Sequence, residues 1–191
     1  MLSERQEQII EASIGLIDRL GIQGFTIKNL SKEIGISEPA IYRHFDSKME
    51  ILATILDGFL QRVSLYHKEK SAAQLPARER MELFFKMIFN VFADNPTLIS
   101  VIFAEEIFRN EPALSQKVME IQQINEKELG AIISEIALKE DLTGTPVETL
   151  VMMFFGPVRL LARKWKMQDC RFDLREEGDQ LIQTIIKMIS L

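Results

Sequence analysis

The run Ser37-Glu38-Pro39-Ala40-Ile41-Tyr42-Arg43-His44 brings a hydroxyl, a carboxylate, a phenol, a guanidinium and an imidazole close together. These groups donate and accept hydrogen bonds, and the guanidinium can bond two acceptors at once. That is equipment for recognition rather than for making or breaking covalent bonds. Bond-making candidates are scarce. The histidines are His44 and His67, and neither follows a Glu by three residues, so the Glu-x-x-His signature of di-iron bundles is absent. Cys170 has no base near it in sequence, and no Gly-rich phosphate loop occurs. No catalytic residue, metal site or cofactor is expected, and the chain is not expected to be an enzyme.

The elements that must position this run are legible around it. Thr26 is a good N-cap, and Ile27, Leu30 and Ile34 give the helix that follows one apolar stripe. Gly35 comes next, where a left-handed residue ends a helix at no Cβ cost. Ser37 is placed to cap a second helix, with Pro39 in its first turn. On that helix Ile41 and Phe45 mark the inner face, while Arg43 points nearly opposite, among Pro39, Ala40, Tyr42 and His44. Two helices about a short Gly-containing turn form the helix-turn-helix pattern, whose second helix enters a major groove of DNA. Ahead of it, Ser3 and Gln6 fit a capping box for a helix that Gly21 ends. Behind it, Ser47 and Glu50 fit another, opening a long helix to about Glu69.

The run T-x-x-x-L-x-K-E-x-G-I-S-x-P-A-I-Y-R-H-F-x-S-K, from Thr26 to Lys48, resembles the N-terminal DNA-binding domain of the TetR family of bacterial transcriptional regulators. The resemblance covers about the first fifty residues and implies phosphate contacts by Thr26, Tyr42 and Lys48. Lys28, beside Thr26, joins them as a backbone-positioning candidate. Base readers are expected among Ser37, Glu38, Pro39, Ala40 and Arg43, with Arg43 suited to a guanine edge. Glu38 fits a cytosine amine or simply the helix dipole, and His44 fits a phosphate or packing on the long helix. The implied layout is a helix-turn-helix DNA-binding domain over residues 1–48 and an effector-binding and dimerisation domain over 49–191.

Charge bears on this reading. The 191 residues carry 23 Lys and Arg against 28 Asp and Glu, a formal net charge of −5. In the first fifty residues Arg5, Arg19, Lys28, Lys32, Arg43 and Lys48 are outnumbered by Glu4, Glu7, Glu11, Asp18, Glu33, Glu38, Asp46 and Glu50, so no broad basic patch is expected and non-specific DNA binding should be weak. A single cysteine excludes an internal disulfide and fits a reducing cytoplasm. No apolar run reaches the ~18 residues of a membrane span, so a cytoplasmic protein without membrane contact is expected.

Beyond residue 76 the chain reads as helices throughout, giving an all-α fold of about nine helices. Asn95-Pro96, Glu111-Pro112 and Gly144 to Pro146 punctuate it. Thr145 with Glu148 and Asp173 with Glu176 fit capping boxes for the last two helices. On those helices Val147, Val151, Phe154, Val158, Leu161 and Trp165, then Ile182, Ile185, Ile186 and Ile189, recur at helical spacing. Periodicity alone leaves open whether they pack within one chain or across a dimer. The family resemblance implies a homodimer that closes a four-helix bundle with them. Phe85, Phe89, Phe103, Phe108, Met119, Met152 and Phe155 are either plain core or, as the resemblance implies, the lining for a small-molecule effector. Arg159, one turn after Phe155, needs a counter-charge, from Glu105, Glu106 or an acidic effector; with Glu105 facing the cavity instead, a cationic ligand held by aromatics fits equally. The expected function is a ligand-responsive regulator, a repressor, that binds a palindromic operator in double-stranded DNA as a homodimer and is released by a largely apolar effector. The alternative is a helical protein-binding adaptor with neither operator nor effector.

Overall fold

The computed structural model describes residues 2–70, 75–103, 111–139 and 144–189. Among the described residues every regular element is a helix: α1 Glu4–Gly24, α2 Ile27–Ile34, α3 Glu38–Tyr42, α4 Lys48–Lys70, α5 Ala77–Asp94, α6 Pro96–Ile102, α7 Pro112–Lys139, α8 Val147–Met167 and α9 Leu174–Ile189. The all-α expectation therefore holds. None of these helices is long and apolar enough to cross a membrane. The chain forms two compact units, Met1–Leu65 with Ser100–Ile121, and Tyr66–Ile99 with Gln122–Leu191.

The first unit is built by caps around a small apolar core. Ser3 and Gln6 close the expected capping box at the start of α1. Gly21 interrupts α1 with φ 69 and ψ 172, a backbone region that essentially only glycine enters, so the chain turns there before a last short stretch to Gly24. Asn29 secures the corner after it: its Nδ2 donates to the Gly24 carbonyl at 2.9 Å, and its N–H donates to Thr26 Oγ1 at 3.1 Å. Ile9, Ile17, Phe25, Leu30, Ile41, Phe45, Ile51, Leu52 and Leu56 converge on the buried centre. The Lys117 ammonium on α7 pairs with the Asp57 carboxylate on α4 within the same unit.

The second unit is built by close packing. α5 buries Met81, Phe84, Phe85, Met87, Ile88, Phe89 and Phe92, so it is apolar on most sides, as expected for a central helix. α9 lies against α5 and against α8. Its Gly178 faces the Phe89 ring, and a Cβ there would stand 2.4 to 2.6 Å from ring atoms, so only glycine allows this approach. Arg175 holds the same pair of helices at the rim, donating to Asp94 at 2.6 Å and to Asn90 at 2.9 Å. The α8–α9 turn takes Asp169 and Cys170 through the left-handed region, at φ 53 and 59, while Trp165 Nε1 donates across it to the Phe172 carbonyl at 2.8 Å. Asp173 caps α9 as expected, accepting from the N–H groups of Arg175 and Glu176. The Thr145–Glu148 box does not form: Pro146 occupies the N-cap of α8, without a side-chain cap bond, because the helix starts one residue later than that box requires.

Candidate nucleic-acid interface

α2 and α3 present the recognition run on a framework held by a side-chain cap at the start of α2 and by backbone bonds through the turns that follow. Thr26 caps α2, and Gly35, left-handed at φ 75, ends it with its N–H bonded to the Ser31 carbonyl. Ile36 N–H bonds that same carbonyl at 3.0 Å, which fixes the turn into α3. α3 is shorter than the sequence suggests. It spans Glu38–Tyr42, with Arg43 as its C-cap. The expected i, i+4 pair survives in modified form: Ile41 is buried from the helix, whereas Phe45, 2% exposed, is buried from the turn that follows, where its N–H bonds the Ile41 carbonyl. Ser37 occupies the N-cap without making a side-chain cap bond.

Position by position, Thr26, Lys28, Ser37, Glu38, Pro39, Tyr42 and Arg43 are exposed, and Ala40, His44 and Lys48 are half-buried. Tyr42 keeps 48% of its surface in solvent although it is a large aromatic. A half-exposed aromatic beside an exposed guanidinium, on a helix whose inner face is one isoleucine, is a surface arranged for contact. Lys48 starts α4. Its ammonium stands 5.5 Å from the centroid of the buried Phe25 ring, and partial burial holds its pKa below the ordinary lysine range. Ser47 Oγ accepts from the Glu50 N–H at 3.1 Å, and the Glu50 carboxylate accepts from the Asp46 N–H, one residue earlier than the expected box. Arg19 is taken up by Glu33 at 2.7 Å, so it adds little to the positive field.

A tie that periodicity could not reveal closes the turn after α3. Gln6 Oε1 accepts from the Ser3 N–H at 3.0 Å, completing the α1 box, while its Nε2 donates to the His44 carbonyl at 3.1 Å. Nothing in the spacing signals this second bond. The Phe25–Lys48 contact is equally silent in sequence.

The residues expected to line an effector site are placed less uniformly. Phe85 and Phe89 are buried in α5, and Phe155 and Arg159 are half-buried on α8. The rings of Phe84, Phe85, Phe154 and Phe155 form one cluster: Phe85 stacks on Phe154 at 5.5 Å and meets Phe84 edge-on at 5.1 Å, and Phe84 meets Phe155 at 6.1 Å. Phe103 is half-buried, whereas Met119 and Met152 are 47% and 65% exposed. Phe108, Glu105 and Glu106 lie outside the described residues. In the second unit Arg80 pairs with Glu135.

Of the residues expected at a dimer interface, Val151, Phe154, Val158, Trp165, Ile182 and Ile186 are buried in the chain's own core, Val147, Leu161 and Ile185 are half-buried, and the Ile189 side chain lies outside the described ones. The apolar stripe of α8 that stays exposed is another one: Met153, Leu160 and Met167, with Met152 beside it. Its spacing of seven is present in the sequence, beside the larger stripe that runs from Val147 to Trp165.

Fold and site together define a helix-turn-helix protein with a helical body. Residues 9–55 match the model of the bacterial regulatory proteins of the tetR family. The match covers the helix-turn-helix part of the chain, from within α1 into α4, and the likeness there is to that family's N-terminal domain. It is 25% identical over 187 residues to the fatty acid metabolism regulator protein of Bacillus subtilis, covering 95% of this chain and 94% of that one. Among solved structures it is similar to the regulator FadR of Bacillus subtilis in complex with stearoyl-CoA, with a TM-score of 0.70, 24% identity, and 93% and 95% of the two chains covered. It is also similar to the ketosteroid regulator KstR2 of Mycobacterium tuberculosis, with a TM-score of 0.78, 15% identity, and 100% and 95% covered.

Proposed function

We propose that the protein is a homodimeric repressor that grips a two-fold-symmetric operator through α3 and is released by a fatty-acyl effector. The observation that carries the DNA reading is the outward face of α3, where Tyr42 and Arg43 are exposed beside a lysine at the start of α4. In this reading Thr26, Lys28, Tyr42 and Lys48 hold phosphates. Ser37, Glu38, Pro39, Ala40 and Arg43 meet base edges, and His44 sits between the two tasks. Lys48 is suited to its part because its partly desolvated ammonium regains a charge partner when a phosphate arrives.

The dimer would form on the second unit. Met153, Leu160 and Met167 fall on one stripe of α8, and Met188 leaves α9 exposed to match. A two-fold dimer sets two reading helices about 34–36 Å apart, or a multiple of that, to match half-sites on one duplex. Residues 1–48 would then serve DNA and 49–191 the effector and the dimer.

The effector class follows from the aromatic cluster on α5 and α8 and from the similarity to a FadR that holds stearoyl-CoA. A long apolar chain suits Phe85, Phe89 and Phe155, with the half-buried Arg159 on the same helix as Phe155 for an acidic end. Release requires that the effector bind the DNA-free state more tightly, by about a hundredfold for a hundredfold loss of operator affinity. Enrichment of random duplexes on the purified chain tests the whole reading. The expected outcome is a two-fold-symmetric sequence whose complex dissociates on titration with stearoyl-CoA. Enrichment of no sequence, or of an asymmetric one bound by a monomer, contradicts it.

A further inference from the structure

We propose that Gln6 is a positioning residue for DNA reading: it locks the turn that carries Arg43 to the first turn of α1. The inference rests on the DNA-binding reading above but concerns a residue outside the recognition run.

The geometry is specific. The five residues of α3 are too few to hold their own conformation, so Arg43 and His44 depend on what the following turn is tied to. Within the turn, the N–H groups of His44 and Phe45 both bond the Ile41 carbonyl, at 2.9 and 3.1 Å. The His44 carbonyl is bonded from thirty-eight residues away, by Gln6 Nε2 at 3.1 Å, in a part-buried position. The other end of the same amide accepts from the Ser3 N–H at 3.0 Å and from Ser3 Oγ at 3.2 Å. One side chain thus joins the α1 cap to the hinge between α3 and α4.

The choice of residue supports this. A capping box accepts Glu or Gln at its third position, and Glu adds a favourable charge at a helix N-terminus. Only Gln also donates, and the His44 carbonyl needs a donor. Glu at position 6 would keep the box and set a carboxylate against a carbonyl oxygen.

Two variants separate the tie from the cap. Gln6→Met is neutral, of similar length, and removes both. Ser3→Ala removes the hydroxyl contacts of the cap and leaves the Gln6–His44 bond. Amide exchange in the free protein should show His44 and Phe45 N–H groups exchanging about fivefold to tenfold faster in Gln6→Met and unchanged in Ser3→Ala. With an enriched operator duplex, Gln6→Met should lose about fivefold to tenfold in affinity and some of its preference over a shuffled duplex, whereas Ser3→Ala should retain both. Equal effects of the two variants, or wild-type exchange at His44 and Phe45 in Gln6→Met, would overturn the proposal. If the unchanged chain enriches no duplex, the DNA reading fails, and the exchange measurement still decides whether Gln6 holds the turn.

Discussion

The α2–α3 pair and the α5–α9 pair bring helices together by opposite means. α2 and α3 are short, meet through a glycine turn, and are fixed by caps and backbone bonds, which leaves Tyr42 and Arg43 in solvent. α5 and α9 are long, meet where Gly178 admits the Phe89 ring, and bury Phe85, Phe89, Ile182 and Ile186. The first arrangement spends its order on placing exposed groups, and the second spends its surface on burial. Changes in the second pair should therefore appear as lost stability, and changes in the first as altered recognition with stability nearly kept.

The largest effect belongs to the body. Phe154 is 1% exposed and stacked on Phe85, so Phe154→Ala should cost about 3–5 kcal/mol in denaturant unfolding. A cost below about 1 kcal/mol would mean the cluster is loosely packed, and the contrast with the head would weaken. Gly178→Ala comes next. The added methyl meets the Phe89 ring, and overpacking of about 1–3 kcal/mol outweighs the roughly 1 kcal/mol that alanine contributes in a helix. A lowered thermal midpoint is expected, and a raised one would show that the α5–α9 approach is not close. The smallest effect is Lys48→Gln, which should leave the midpoint in place, weaken operator and shuffled duplex alike, and reduce the salt slope of binding by about one.

The same contrast explains what the sequence made legible. In the helix-turn-helix the residues proposed to meet DNA lie outside, so Thr26, Tyr42 and Arg43 are distinct from the Ile27, Leu30 and Ile41 stripe by type and spacing, as Gly35 is by its place after the helix. What stayed hidden were contacts between distant segments, such as Gln6 with His44 and Phe25 with Lys48, because spacing describes one helix at a time. The early end of α3 was hidden for a related reason: Phe45 is buried whether it sits on a helix or on the turn after it. In the body, an aromatic that lines a ligand and one that fills a core carry the same letter. Met152 and Met119 show the ambiguity, since on the chain they stand 65% and 47% exposed. The residues expected at a dimer interface carry a similar ambiguity. Phe154 and Trp165 fit the helical stripe of an interface and equally the core in which they are buried, while Val147 and Leu161 stay half-buried and Met153, Leu160 and Met167 exposed.

The central claim is that the exposed side of α3 reads base edges, with Arg43 the strongest reader. The direct measurement is the affinity of Arg43→Ala for an enriched operator and for the same duplex shuffled, at fixed salt. The account predicts a loss of about 1–3 kcal/mol on the operator, with little change on the shuffled duplex and an unchanged thermal midpoint. An equal loss on both duplexes, or none on either, would contradict it.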